Sequence, residues 1–196
     1  MTLLVATTNP GKLREIQPIL SGVPYEIRSL RDYPSIAEPE ETETTFAENA
    51  RLKAHYYSKA SGELTVAEDS GLVIDALDGA PGVHSARWHG TDYAIKFAKI
   101  RELLDERGLE TSAARFVCHL VLARGAGLLF EAEETVEGQI AAAPAGEHGF
   151  GYDPIFFYPP LGVTLGEVER ETKSRISHRG KAFARLRAFL LDGRVS

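Results

Sequence analysis

Leu64-Thr65-Val66-Ala67-Glu68-Asp69-Ser70-Gly71-Leu72-Val73-Ile74 sets two adjacent carboxylates and a hydroxyl between two apolar runs. The flanks, Leu64 to Val66 and Leu72 to Ile74, read as β-strand. The Glu68-Asp69 pair then falls at a strand end or a sharp bend, with Gly71 letting the backbone turn. Two readings compete for it. An isolated Glu-Asp-Ser-Gly is commonly a solvated turn capped by Asp69 and Ser70. A charged pair within a sheet instead needs compensation, and a hard cation is a common answer. The rest of the chain decides between them.

The 196 residues carry a net charge of −6 with 43% hydrophobic side chains, which fits one ordinary globular domain or two closely joined lobes. An acidic balance disfavours a nucleic-acid backbone as partner, but a small polyphosphate is compatible with local lysines, arginines or a metal. A single cysteine, Cys118, excludes an internal disulfide framework and a cysteine-rich zinc site. It sits in an apolar run and reads as a buried structural thiol. There is no signal-peptide pattern and no apolar run long enough to cross a bilayer, so the expectation is a cytoplasmic protein without a membrane partner.

Upstream, Thr2 to Thr7 is a short β-prone run leading into Thr8-Asn9-Pro10-Gly11-Lys12 and a helical pattern with Leu13, Ile16, Ile19 and Leu20 on one side. Strand, glycine turn, lysine and helix is a known way to offer backbone N–H groups to phosphate, although the spacing is not that of a P-loop. Tyr25 to Arg28 alternates like a strand, and residues 31 to 43 form an acidic loop holding Glu38, Glu40, Glu41 and Glu43. Thr45-Phe46-Ala47-Glu48 has capping-box spacing and opens a helix to about Lys59, with Asn49 in its first turn and Lys53 one turn later.

Downstream, Asp78 to Val83 is a Gly/Pro loop, and a helix is expected over 92–107 with Ile95, Ala98, Ile100 and Leu103 facing the core. Arg115 to Ala123 and Leu128 to Val136, joined by Gly125-Ala126-Gly127, read as an antiparallel hairpin, with His119 as a packed or edge residue rather than a ligand. Gly149-Phe150-Gly151-Tyr152-Asp153-Pro154 sets glycines around aromatics beside an acid, which suits a flat ligand or simply a glycine-rich connection. Residues 171 to 181 concentrate cations, and Ser177 is placed to cap a last helix whose core face is Ala182, Phe183, Leu186, Phe189 and Leu190. Acids that suit Mg²⁺, a lysine-bearing turn that suits polyphosphate and a Gly/aromatic loop that suits a base together read as nucleotide plus metal.

Six stretches in order now resemble one family, the noncanonical purine nucleoside triphosphate pyrophosphatases (inosine triphosphatase, or Ham1-like, family). They are Thr7 to Lys12, Thr45 to Ala54, Glu68 to Leu72, Gly79 to Arg87, Gly149 to Pro154 and Lys173 to Gly180. The resemblance implies a single domain over 1–196 of α/β class: a long mixed β-sheet flanked by helices, in two lobes around a central cleft, forming a homodimer. It further implies Mg²⁺-dependent cleavage of inosine, deoxyinosine and xanthosine triphosphates to monophosphate and pyrophosphate, which cleanses the nucleotide pool. By matching position, Thr7, Thr8, Asn9, Pro10, Gly11, Lys12 and Lys53 would contact phosphates. Glu41 and Asp69 would ligate the metal with help from Glu68, and Asp69 would accept the proton. Ser70, Phe150, Gly151, Tyr152, Asp153, Lys173, His178 and Arg179 would bind the nucleotide.

Two positions depart from the family pattern, Thr8 and Glu43, each standing where the resemblance leads one to expect glycine. A backbone that needed positive φ there would tolerate neither. Donors near O6 and an acceptor near N1 would select 6-oxo purines over adenine, with Arg179 and Asp153 as the candidates. Two rivals stand beside this reading: a non-catalytic nucleotide-binding regulatory module, and a pyrophosphatase for other modified nucleotides.

Overall fold

The structure is a computed structural model that describes residues 1–193, so the last three residues of the expected 1–196 domain lie outside the described residues. Its strands are β1 (Thr2–Val5), β2 (Glu26–Ser29), β3 (Leu64–Ile74), β4 (Ala113–Arg124), β5 (Gly127–Ile140), β6 (Phe156–Tyr158) and β7 (Val163–Thr164). Its helices are α1 (Pro10–Ile19), α2 (Phe46–Ser61), α3 (Tyr93–Glu106), α4 (Arg170–Ile176) and α5 (His178–Leu191). The strands form one sheet in the order β2-β1-β3-β4-β5-β6-β7. β1 runs parallel to both β2 and β3, which requires crossover connections, and these carry α1 and α2. Two residues join β4 to β5, so that pair must reverse direction, and β6 and β7 continue antiparallel. The sheet is therefore mixed and the class is α/β, as expected.

Contacts divide the described residues into two compact units, one of residues 1–69, 118–134 and 178–193, the other of 70–117 and 135–177. In the first unit the two-residue period of the strands sorts side chains onto two faces. Leu3 and Val5 of β1, Leu64 and Val66 of β3 and Leu120 and Leu122 of β4 pack with Leu13, Ile16 and Leu20 of α1 and Phe183 and Leu186 of α5. Leu4, Ala67, Val121 and Ala123 face the other way, onto Ala50, Ala54 and Tyr57 of α2. The second unit has its own core of Leu72, Ile74, Ile100, Leu104, Phe116, Val136 and Phe156.

Two expectations are corrected. The Glu68-Asp69-Ser70-Gly71 stretch is no bend: β3 runs unbroken for 11 residues through it. Turn propensity lost here because each carboxylate finds cations within the fold. On α3 the buried positions are Lys96, Ile100 and Leu104, while Ile95 is 55% exposed and Ala98 is exposed too. A buried lysine takes one place of the inward row, and a reading that counts apolar residues assigns the wrong phase. Residues 170–176 form a helix that the sequence reading did not assign, and Ser177, an extended residue (φ −71, ψ 155), stands immediately before α5, in the place where it was expected to cap that helix.

Candidate active site

Because β3 is continuous, Glu68 and Asp69 project from opposite faces of the sheet. Glu68 joins the α1/α5 side. Its carboxylate lies 3.1 Å from Lys12 Nζ and accepts a 2.9 Å hydrogen bond from Arg179 Nε, while the Cys118 thiol donates to it at 3.3 Å. Arg179 also donates to Glu15 at 2.8 Å. Burial opposes the guanidinium charge, but Glu68 and Glu15 outweigh it and hold its pKa above the ordinary arginine value. Burial, reinforced by Glu68, pushes the Cys118 thiol well up, so it stays protonated. This is the buried structural thiol expected from the apolar run.

Asp69 joins the α2 side. Lys53 Nζ lies 2.8 Å from Asp69 Oδ1 and 2.8 Å from Glu41 Oε1, bridging the strand and the acidic loop. Burial works against the Lys53 charge, yet the two carboxylates more than offset it and raise its pKa. Burial also lifts the Asp69 carboxyl above its usual range, against the pull of Lys53. Asp69 Oδ2 is buried and has no hydrogen-bond partner. A buried carboxylate oxygen with nothing to accept is costly, which suits a donor or cation supplied by a ligand.

That oxygen is the test of fit for a divalent metal. Hard oxygen ligands, one of them unsatisfied, are present in Asp69 and Glu41, and Mg²⁺ commonly takes one or two carboxylates together with substrate phosphates. Glu68 is committed to Lys12 and Arg179 on the opposite face. Among the described residues no three His, Cys, Asp or Glu side chains converge as a metal cage.

The Thr7-to-Lys12 turn is ordered by its own side chains. Asn9 caps α1, its Oδ1 accepting from Gly11 N at 2.8 Å and Lys12 N at 3.2 Å, and Pro10 takes the first helical position. Asn9 N in turn donates to Thr7 Oγ1 at 3.1 Å. Two first-turn amides expected to face phosphate are thus engaged by Asn9, leaving the exposed Thr8 and the Lys12 ammonium as groups a phosphate could reach. Neither family departure strains the backbone, since the non-glycine residues with positive φ among those described are Asp78 and His89.

The second unit holds the Gly/aromatic loop. Lys173 Nζ lies 2.5 Å from Asp153 Oδ2, which also accepts from Phe150 N at 2.7 Å, and the ammonium stands 5.1 Å from the Phe150 ring centre. Gly149 has φ +75, and a Cβ there would collide with the Asp153 carboxylate, so the turn needs glycine on both counts. Tyr152 OH donates to Ser85 O at 2.9 Å, with Tyr93 edge-on to its ring at 5.2 Å. Arg179 and Asp153, expected to read one base edge together, are ion-paired with Glu68 and Lys173 respectively.

Four contributors were given no site role by the sequence. Lys96, fully buried, donates to Ser85 O at 3.0 Å and Ala86 O at 2.7 Å and sits 4.3 Å from the Tyr93 ring centre. Ser85 Oγ accepts from Leu72 N at 2.9 Å. Glu15 holds Arg179, and Asn49 is buried at the start of α2. A lysine in an otherwise apolar helical row is the one signal that could have exposed Lys96. His119 is packed, as expected, with ring nitrogens 2.5 Å from Glu131 and 3.1 Å from Glu133.

The family model described as the Ham1 family matches residues 3–189. A relative from Exiguobacterium sp. named dITP/XTP pyrophosphatase is 46% identical over 192 residues, covering 97% of each chain. Another of that name, from Nostoc sp., is 47% identical over 186 residues, covering 94% of this chain and 91% of its own. The solved structure of a HAM1 protein from Coxiella burnetii matches with a TM-score of 0.90 at 35% identity, covering 98% of this chain and 100% of that one.

Proposed function

Since this chain belongs to the Ham1 family, we propose that it is a nucleoside triphosphate pyrophosphatase that converts inosine, deoxyinosine and xanthosine triphosphates to monophosphate and pyrophosphate. The observation that carries the chemical part of this reading is Asp69: one oxygen held by Lys53, the other buried and unengaged. Water attacks the α-phosphorus, Asp69 takes its proton, a new P–O bond forms, and the bond to the leaving pyrophosphate breaks. Lys53 keeps the Asp69 carboxylate oriented, and Lys12 and Lys53 offset charge on the departing pyrophosphate. A divalent cation, proposed as Mg²⁺ on Glu41 and Asp69, would supply further neutralisation of the phosphates when bound. On this reading Glu68 is no metal ligand but the residue that sets Lys12 and Arg179 in place.

Purine recognition is assigned to Phe150 for stacking, with Gly151 and Tyr152 shaping the loop, and to the Asp153–Lys173 pair for the base edge. A 6-oxo purine offers an acceptor at O6 and a donor at N1, matching an ammonium and a carboxylate; adenine offers the reverse and would leave both unpaired. Ser70 and His178 complete the proposed nucleotide contacts. No helix among the described residues is long and apolar enough to cross a membrane, and a cytoplasmic location is proposed with the nucleotide-pool role. A second copy of the chain is the proposed partner; the exposed stripe of Ala94, Ile95 and Ala98 on α3 supports this.

Product analysis tests the reading. With inosine triphosphate and Mg²⁺ the expected products are monophosphate and pyrophosphate, with adenosine triphosphate turned over far more slowly. Orthophosphate release, or equal turnover of both nucleotides, would defeat it. Nucleotide binding without turnover would instead favour the regulatory module.

A further inference from the structure

Asn49 stands in the first turn of α2, where its backbone N–H donates to Thr45 O at 3.1 Å, and it is 1% exposed. Asparagine is a poor helix former, and a buried amide costs free energy unless both its ends are satisfied. Its Nδ2 donates to the backbone oxygen of Glu43 at 3.2 Å. A carbonyl can only accept, so this bond fixes which way the amide faces: nitrogen toward the acidic loop, oxygen away from it. That oxygen, Oδ1, is buried and has no partner.

One helical turn on, and on the same face, Lys53 holds Glu41 of the same loop and Asp69 of β3. Residues 41 and 43 are thus both tied to α2, one through Lys53 and one through Asn49. A buried amide oxygen left without a donor is costly, so the tether alone leaves half of this side chain uncompensated. Asp69 Oδ2 and Asn49 Oδ1 are both buried acceptors left without a donor.

We infer that Asn49 is a positioning residue of the metal and phosphate site. Its Nδ2 anchors the loop that carries Glu41, and its Oδ1 accepts a hydrogen bond from a water that enters with the cation. The inference rests on the proposed function for the identity of what enters, but the tether does not depend on it.

Three measurements on the full chain test this. The first is Mn²⁺ affinity of the nucleotide-free protein, read by electron paramagnetic resonance of free Mn²⁺. The second is kcat and KM for inosine triphosphate across Mg²⁺ concentrations. The third is hydrogen exchange of the amides in residues 38–44. Asn49→Ala is expected to lose about 10- to 100-fold in Mn²⁺ affinity, with a matching rise in the Mg²⁺ concentration for half-maximal rate. Asn49→Asp keeps the size and one acceptor but sets a carboxylate against the Glu43 carbonyl, so exchange in 38–44 should accelerate at least tenfold. If Asn49→Ala folds with wild-type Mn²⁺ affinity and Mg²⁺ midpoint, the role at the cation is overturned and Asn49 is merely structural. If Asn49→Ala does not fold, Asn49→Asp decides, and unchanged exchange in 38–44 overturns the tether. A wild-type protein that neither binds Mn²⁺ nor cleaves inosine triphosphate would sink the proposed function, while the exchange result still judges the tether.

Discussion

Replacing Glu68 by Gln should weaken the fold and leave divalent-metal affinity intact, whereas the same change one residue on, Asp69→Asn, should do the opposite. The two carboxylates leave opposite faces of β3 and meet different cations. Glu68 and Arg179 form a buried pair at 2.9 Å, with side-chain exposures of 3% and 4%. A hydrogen bond to a buried charge contributes roughly 1.5–3 kcal/mol, and breaking a buried pair from one side costs about 3–5 kcal/mol. Lys12 is partly exposed, so its share is no more than about 1 kcal/mol. Glutamine keeps an acceptor of the same shape, which sets the expected loss near the lower bound, at about 3 kcal/mol. For a chain of this length that is a fall in Tm of about 6–12 °C. Asp69→Asn leaves Lys53 paired with Glu41 and replaces a carboxylate whose charge burial already opposes, so Tm should fall less than in Glu68→Gln, while turnover falls by about 10²- to 10⁴-fold with the loss of the proton acceptor. Circular-dichroism melts, Mn²⁺ titration and pyrophosphate release, run on both variants, give the answer. A Glu68→Gln protein that melts within about 2 °C of wild type but has lost its Mn²⁺ affinity would refute the assignment and return Glu68 to the metal. A double-mutant cycle with Arg179→Met adds a check, since contacting residues should couple by roughly 0.5–3 kcal/mol.

Lys96→Met should destabilise the chain by about 2 kcal/mol at neutral pH, because the Ser85 and Ala86 carbonyls lose a charged donor. Burial lowers the Lys96 pKa below the ordinary 10.5, so in the window between the lowered value and 10.5 the unfolded chain binds more protons and wild-type stability rises with pH. The stability difference between wild type and Lys96→Met should therefore widen in favour of wild type as pH climbs through that window; urea melts at several pH values showing a flat or narrowing gap would contradict the burial argument. Ile95→Glu should convert a dimer of the chain to monomers in light scattering without altering the far-ultraviolet spectrum, because it charges an exposed apolar stripe and touches no core residue. A variant that keeps the wild-type mass would remove α3 from the interface.

Pattern alone located most of the strands and helices, though not α4 or β7, since apolar alternation and capping residues are local: Thr45 caps α2 where its spacing says it should. What the pattern could not supply is the partner of each buried charge. Arg179 meets Glu68 across 111 positions and Lys53 meets Asp69 across 16, separations that only the folded sheet brings together. The bend expected at Glu68-Asp69 failed for that reason: turn propensity prices the residues as solvated, and here Lys12, Lys53 and Arg179 replace the water. Had the strand been carried through Gly71, its two-residue period would already have set the carboxylates on opposite faces and divided their tasks. The same blindness hid Lys96, whose neighbours are carbonyls and tyrosine faces rather than an acid. A buried cation satisfied by backbone leaves no complementary charge in the sequence to betray it, so its detection rests on finding a polar residue in an apolar row. Asn49 meets that criterion too, as a polar residue in the buried row of α2 with Ala50, Lys53 and Ala54. In both helices a polar residue within the buried row ties a neighbouring segment to the helix, Asn49 the loop at Glu43 and Lys96 the segment at Ser85 and Ala86.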